Sequence, residues 1–153
     1  MELAHKNVLV VGLGRSGAAA AAFLKRKGAV VTVTDTGTEQ QIGPAAGELR
    51  RLGAAVEIGG HDPESFNAAE LIVVSPGVPH TIAPIVQASE RGVPVIGEVE
   101  LASRFITEPV VAVTGTNGKT TATLLIGEML RRSGLDTFVG GNIGTPLVDY
   151  TKR

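Results

Sequence analysis

Four times along the chain a helix-like stretch ends in basic side chains, meets a glycine, and gives way to a β-branched run. Lys25-Arg26-Lys27-Gly28 precedes Val30-Val31-Thr32-Val33-Thr34, and Arg50-Arg51-Leu52-Gly53 precedes Ala55-Val56-Glu57-Ile58. Glu90-Arg91-Gly92 leads into Val93-Pro94-Val95-Ile96, and Arg131-Arg132-Ser133-Gly134 into Asp136-Thr137-Phe138-Val139. Cations in a last turn complement the helix dipole, and glycine just past the end accepts the left-handed capping conformation. Helix and strand in alternation leave few options: parallel strands joined by right-handed helical crossovers.

The first strand, Asn7-Val8-Leu9-Val10-Val11, is apolar on both faces, as a central parallel strand must be. An alanine-rich helix is expected near residues 16–27, a second buried strand at Leu71-Ile72-Val73-Val74, and a helix near 82–90. Counting all the runs gives a five-stranded sheet with strands near 8–11, 30–34, 55–58, 71–74 and 94–96. Residues 97–105 read as a short connecting helix, punctuated by Thr107-Glu108-Pro109 before a strand at 110–113. The boundary therefore falls between a first domain, 1–105, and a second segment, 106–153. That segment offers a strand, a glycine-rich loop, a helix, a strand at 136–139, and Gly140-Gly141-Asn142-Ile143-Gly144. Two strands and one helix cannot bury a core alone, so it should dock on the first domain or stay incompletely folded. The expected class is α/β: a Rossmann-like parallel five-stranded sheet with helices on both faces, followed by the start of a P-loop α/β domain.

Two loops carry chemistry. Gly12-Leu13-Gly14-Arg15-Ser16-Gly17 follows the first strand directly and opens a helix, and Asp35 ends the second strand 21 residues after Gly14. This is the dinucleotide fingerprint: a tight turn, close approach to a pyrophosphate, and a carboxylate for a sugar hydroxyl or a base. Ser75-Pro76-Gly77 ends another strand at the same edge, where open parallel sheets bind ligands. The second loop is Gly115, Thr116, Asn117, Gly118, Lys119, Thr120 and Thr121, between a β-branched run and a helix-forming run. Val113 stands where the strict phosphate-loop pattern has its first glycine, but the Gly-Lys-Thr core is intact. Lys119 is expected to neutralise phosphate charge and Thr120 to ligate Mg²⁺.

Other features exclude more than they assign. A formal net charge of −1 offers no basic excess for nucleic acid, and 3% aromatic residues leave no stacking platform. Cysteine is absent, so disulfides and thiolate metal sites are excluded, which fits a reducing, cytoplasmic setting. The apolar run after the polar N-terminus is too short to span a bilayer, so no membrane partner is expected. His5, His61 and His80 lack ligand spacing and read as solvated or capping residues. Glu98 and Glu100 read as surface charges. From these residues the first loop is a nucleotide-diphosphate site of unspecified nucleotide, and an NAD(P)-binding redox or sensor domain and a non-catalytic binding module both stand.

The order of motifs narrows them. Val-Gly-Leu-Gly-Arg-Ser-Gly, Thr34-Asp35-Thr36, Ser75-Pro76-Gly77-Val78, Val-Thr-Gly-Thr-Asn-Gly-Lys-Thr-Thr and Gly-Gly-Asn-Ile-Gly together resemble the Mur ligase family of peptidoglycan synthesis. The likeness is greatest to its D-glutamate-adding branch and spans nearly the whole chain. It implies that the first domain holds UDP-N-acetylmuramoyl-L-alanine rather than NAD. Gly14, Arg15 and Ser16 would lie at the diphosphate, Asp35 and Thr36 at the uracil, and Ser75, Pro76 and Gly77 along the same pocket. Asn142 would touch substrate, and residues 115–121 would bind ATP with Mg²⁺ for transfer to a carboxylate that D-glutamate then attacks. The resemblance also implies three domains, of which this chain carries one and part of the next, so the chain alone should not ligate. Gly37, after Asp35-Thr36, offers no side chain for a uracil contact.

Overall fold

A computed structural model describes residues 1–142 and 144–152; Ile143 of the Gly-Gly-Asn-Ile-Gly segment lies outside the described residues. Five strands, β1 (Asn7–Val11), β2 (Val30–Asp35), β3 (Ala55–Ile58), β4 (Leu71–Val74) and β5 (Val95–Gly97), pair entirely in parallel. Their spatial order is β3-β2-β1-β4-β5. The helices are α1 (Arg15–Arg26), α2 (Glu39–Arg51), α3 (Pro63–Ala68), α4 (Ala83–Glu90), α5 (Glu98–Ser103) and α6 (Lys119–Arg132). A 3₁₀ turn, Leu147–Lys152, ends the described chain.

The period-two alternation of β1 and β4 divides the core into two layers. Val8, Val10, Leu71 and Val73 face α1, α2 and α5, meeting Phe23, Leu24, Leu49 and Leu101. Leu9, Val11, Ile72 and Val74 face α3 and α4, meeting Phe66, Ile85 and Ala88. All eight strand residues are buried, which is why these strands carry no polar face. The four glycines of the repeat, Gly28, Gly53, Gly92 and Gly134, all take positive φ just beyond a helix. The α/β expectation and the five strands hold to within a residue or two.

Residues 106–153 depart from expectation. No strand forms at 110–113 or at 136–139; both stretches are irregular. Val110 and Val111 are 63% and 62% exposed. A strand requires a neighbour for its N–H and C=O groups, and among the described residues no second sheet exists to supply one. Docking on the first domain does occur, and the described residues show it most clearly at the chain's last turn. The terminal 3₁₀ turn packs on α1 and α5, and Val148 is fully buried in the layer that holds Phe23 and Leu101.

Glu98 is a further correction: the first residue of α5 is 1% exposed rather than a surface charge. Its Oε1 accepts from the Val148 N–H at 2.8 Å, while Oε2 is buried without a hydrogen-bond partner. Glu100 does lie at the surface, paired with Arg104 at 2.6 Å. Burial pushes the Glu98 carboxyl above the ordinary carboxylate range, opposed by the Val148 and Leu147 N–H groups and assisted by Asp149. A raised carboxyl pKa favours the protonated native state. The stabilisation is therefore complete below the unfolded value, near 4.5, and is lost as pH rises through the folded value. Glu98→Gln keeps an acceptor for Val148 and removes the charge. Its urea midpoint is expected to stay level as pH rises above about 4.5, where the native midpoint falls. Glu98→Ala leaves the Val148 N–H unpaired and is expected to cost about 1–2 kcal/mol; equal midpoints for Gln, Ala and native would refute the linkage.

Candidate functional site

Winding direction reverses between β1 and β4, so the loops after these strands diverge and leave a crevice at their carboxyl ends. The turn after β1 fills that crevice. Gly12 takes φ 94°, and a Cβ there would lie 2.7 Å from Val78 Cγ2 and 2.9 Å from Ser75 Cβ. Gly17, one turn into α1, sits so close to the strand end that a Cβ would fall 1.8 Å from the Gly12 carbonyl oxygen. Gly12 and Gly17 of the fingerprint thus each meet a steric demand, whereas a Cβ at Gly14 would find ordinary contact at 3.8 Å from Ser75 Oγ, and the α1 N-terminus is brought against the turn.

Asp35 ties this edge together. One carboxylate oxygen accepts from the Leu13 N–H, the other from the Gly37 N–H at 2.6 Å. The Gly59-Gly60 corner after β3 folds over the same strand end, with the Gly59 N–H donating to the Asp35 carbonyl at 2.9 Å. That corner delivers His61 to the buried Thr34, whose Oγ1 lies 2.9 Å from His61 Nδ1 and 3.0 Å from the Gly60 carbonyl. Together Gly12, Asp35, Thr36, His61, Gly77, Val78, Pro79 and Ile82 line a cleft of about 190 Å³.

Of the sequence-expected residues of the first site, Asp35, Thr36 and Gly77 line this cleft, while Gly14, Arg15, Ser16, Ser75 and Pro76 do not. Ser75 is buried behind the turn, its N–H bonded to the Val11 carbonyl, and Pro76 and Gly77 lie exposed beside it. Gly14 and Arg15 are exposed at the start of α1, and Ser16 is half-buried. Asn142 and residues 115–121 do not line this cleft. Sequence reasoning missed His61 and Thr34; the signal was the Gly59-Gly60 pair, which lets the chain double back over β2. A larger cleft of about 250 Å³ opens at the amino ends of β1 and β2, beside Glu64 and Ser65. It lies away from both glycine-rich loops and has no N-terminus of a long helix aimed into it.

The second loop has its own geometry. Gly118 takes φ 74° immediately before α6, a left-handed conformation that turns the chain into the helix. The Lys119 ammonium folds back to donate to the carbonyls of Gly115 and Thr116, holding a cation inside the turn. Free N–H groups of the first helical turn lie beside it. Turn, cation and helix N-terminus fit a polyphosphate. Thr120 and Thr121 are exposed on this turn, within reach of solvent and ions. Among the described residues no cluster of three or more His, Asp or Glu could hold a metal on its own, and no helix is long and apolar enough to cross a membrane.

Comparison with known proteins agrees with this geometry. Residues 6–97 match the family model described as the N-terminal domain of MurD-like Mur ligases. The chain is 55% identical over its full length to the UDP-N-acetylmuramoylalanine–D-glutamate ligase of Desulfosudis oleivorans, covering 33% of that protein. It is 59% identical over 99% of its length to the same-named ligase of Desulfatibacillum aliphaticivorans, covering 34% of it. The chain thus spans about a third of the length of these curated relatives. Among solved structures, a pseudomurein peptide ligase type C from Methanothermus fervidus matches 84% of this chain and 26% of its own, with TM-score 0.52 and 28% identity. The UDP-N-acetylmuramate-alanine ligase MurC from Thermotoga maritima matches 85% of this chain and 30% of its own, with TM-score 0.56 and 25% identity. With the fingerprint turn, the parallel sheet and these relatives in agreement, the chain belongs to the Mur ligase family, in its MurD-like branch.

Proposed function

We propose that the chain is the N-terminal portion of a cytoplasmic, ATP-dependent ligase that joins D-glutamate to UDP-N-acetylmuramoyl-L-alanine in peptidoglycan synthesis. The observation that carries this reading is the occurrence, in one short chain, of the cleft at Gly12, Asp35 and Thr36 and the separate Lys119 turn. In this assignment residues 1–105 form the UDP-substrate domain and 106–153 begin the ATP-binding domain. Gly14, Arg15 and Ser16 take the diphosphate at the α1 N-terminus, and Asp35, Thr36, Ser75, Pro76 and Gly77 surround the uridine. Gly115, Thr116, Asn117, Gly118, Lys119, Thr120 and Thr121 hold ATP, with Thr120 on Mg²⁺ and Asn142 on substrate. When bound, the nucleotide supplies the phosphoryl group that turns a substrate carboxylate into an acyl phosphate for attack by the amine of D-glutamate. Lys119 stabilises charge on the transferred group. Ligation is assigned to the whole protein, since relatives are about three times as long.

The alternative, an NAD(P) domain, draws on the same fingerprint. It requires the strand-end carboxylate to receive the ribose hydroxyls. Each Asp35 oxygen accepts one backbone N–H and retains a second lone pair, so this carboxylate serves either reading, but an NAD(P) domain leaves the Lys119 turn without a use. Calorimetric titration with UDP-N-acetylmuramoyl-L-alanine, UDP and NAD is expected to show binding of the two uridine compounds and none of NAD. Saturable NAD binding with no response to UDP would overturn the assignment.

A further inference from the structure

We infer that His61 reads the base of the bound nucleotide, selecting uracil over cytosine through a tautomer fixed by Thr34. This rests on the uridine-nucleotide reading of the cleft and adds to it a residue and a rule of discrimination.

The Thr34 hydroxyl carries a single hydrogen, and its oxygen lies 3.0 Å from the Gly60 carbonyl and 2.9 Å from His61 Nδ1. A carbonyl only accepts, so both contacts are hydrogen bonds only when the hydroxyl hydrogen goes to Gly60. The hydroxyl oxygen must then accept from Nδ1, which places the imidazole proton on that nitrogen. Neutral His61 therefore carries its lone pair on Nε2. Thr34 is fully buried, so this choice is made inside the protein and not by solvent. The Phe66 ring stands edge-on to the imidazole, with centroids 5.9 Å apart and planes at 79°, and holds its orientation.

The surroundings supply the rest. His61 lines the cleft together with Asp35, Thr36 and the apolar side chains of Val78, Pro79 and Ile82, which suit a flat base. Nδ1 is tied inward, and among the described residues no hydrogen bond reaches Nε2, so this is the ring atom left for a ligand. Uracil presents a donor at N3 and cytosine an acceptor at the same place. A fixed acceptor on the protein pairs with the first and faces the lone pair of the second. A site built to receive a hydrogen bond discriminates strongly against an analogue that cannot make it.

Calorimetric titration of the chain with UDP and with CDP tests the rule. The native chain is expected to prefer UDP by about tenfold, and His61→Ala to bind the two alike, chiefly by losing UDP affinity. Should His61→Ala retain the full preference, the inference falls while the nucleotide site stands. Should the native chain bind neither diphosphate, the reading beneath the inference falls with it. Nitrogen-15 spectra of the native imidazole avoid any folding defect in the variant. They should show Nδ1 protonated and Nε2 bare, with the Nε2 resonance displaced by UDP and not by CDP. A protonated Nε2 in the neutral ring, or a resonance unmoved by bound UDP, overturns the inference.

Discussion

Replacing Gly17 with alanine is expected to destabilise the fold by about 3 kcal/mol and to remove nucleotide binding with it. The added Cβ would stand 1.8 Å from the Gly12 carbonyl oxygen, well inside any permitted contact. Neither partner can yield cheaply. Gly12 is itself pinned between Val78 and Ser75, and α1 is held by Ala20, Ala21, Phe23 and Leu24, all buried. The helix must lift away from β1, which opens the core and withdraws its N-terminal N–H groups from the cleft. A matched control exists in α2, where a Cβ at Gly47 would meet nothing within 4 Å. Gly47→Ala should stabilise by about 0.5–1 kcal/mol through helix propensity and reduced unfolded-state entropy. Urea unfolding of both variants checks the pair; a Gly17→Ala midpoint equal to the native one would show that the contact is not as tight as described.

The second large effect concerns Lys119. In a protein carrying this chain together with the remaining two thirds found in its relatives, Lys119→Ala is expected to lower ATP-dependent phosphate release by about 10²–10³-fold. That is the usual loss when one preorganised charge is removed from a developing oxyanion. The ammonium already lies against the turn through the Gly115 and Thr116 carbonyls, so no rearrangement of the backbone is needed to present it. Binding of the UDP-linked substrate should be unchanged, because Lys119 does not line the first cleft. Undiminished release in the variant would remove the loop from the reaction. Lys119→Arg should recover little, since a planar guanidinium does not fit a turn shaped around a compact ammonium.

Legibility in the sequence followed the range of the interactions. The five strands and the fingerprint turn rest on local rules: β-branched runs, glycines past basic helix ends, and Asp35 at the end of β2. These are short-range and were readable. The failures at 110–113 and 136–139 share one cause, for β-propensity describes a residue's fit to a sheet and supplies no partner strand. Glu98 was misread for a different reason. Its burial depends on Val148, fifty residues away along the chain, and no local pattern announces that meeting. His61 likewise became interpretable only when the sheet placed β3 beside β2 and the Gly59-Gly60 corner carried it back to Thr34.

The bond from Glu98 to Val148 has a topological consequence. The chain leaves the sheet unit beyond α5 and returns to it at the 3₁₀ turn, where Val148 closes the core. A polypeptide emerging in synthesis supplies all five strands of that core before Val148 reaches it. The phosphate turn and α6 would then await later strands already tethered, with part of the entropy of bringing their two ends together removed in advance. In this sense the Rossmann-like unit would act as a template for the segment that follows it. A mutation at Glu98, distant in sequence from the Lys119 turn, would loosen the return point that tethers that turn.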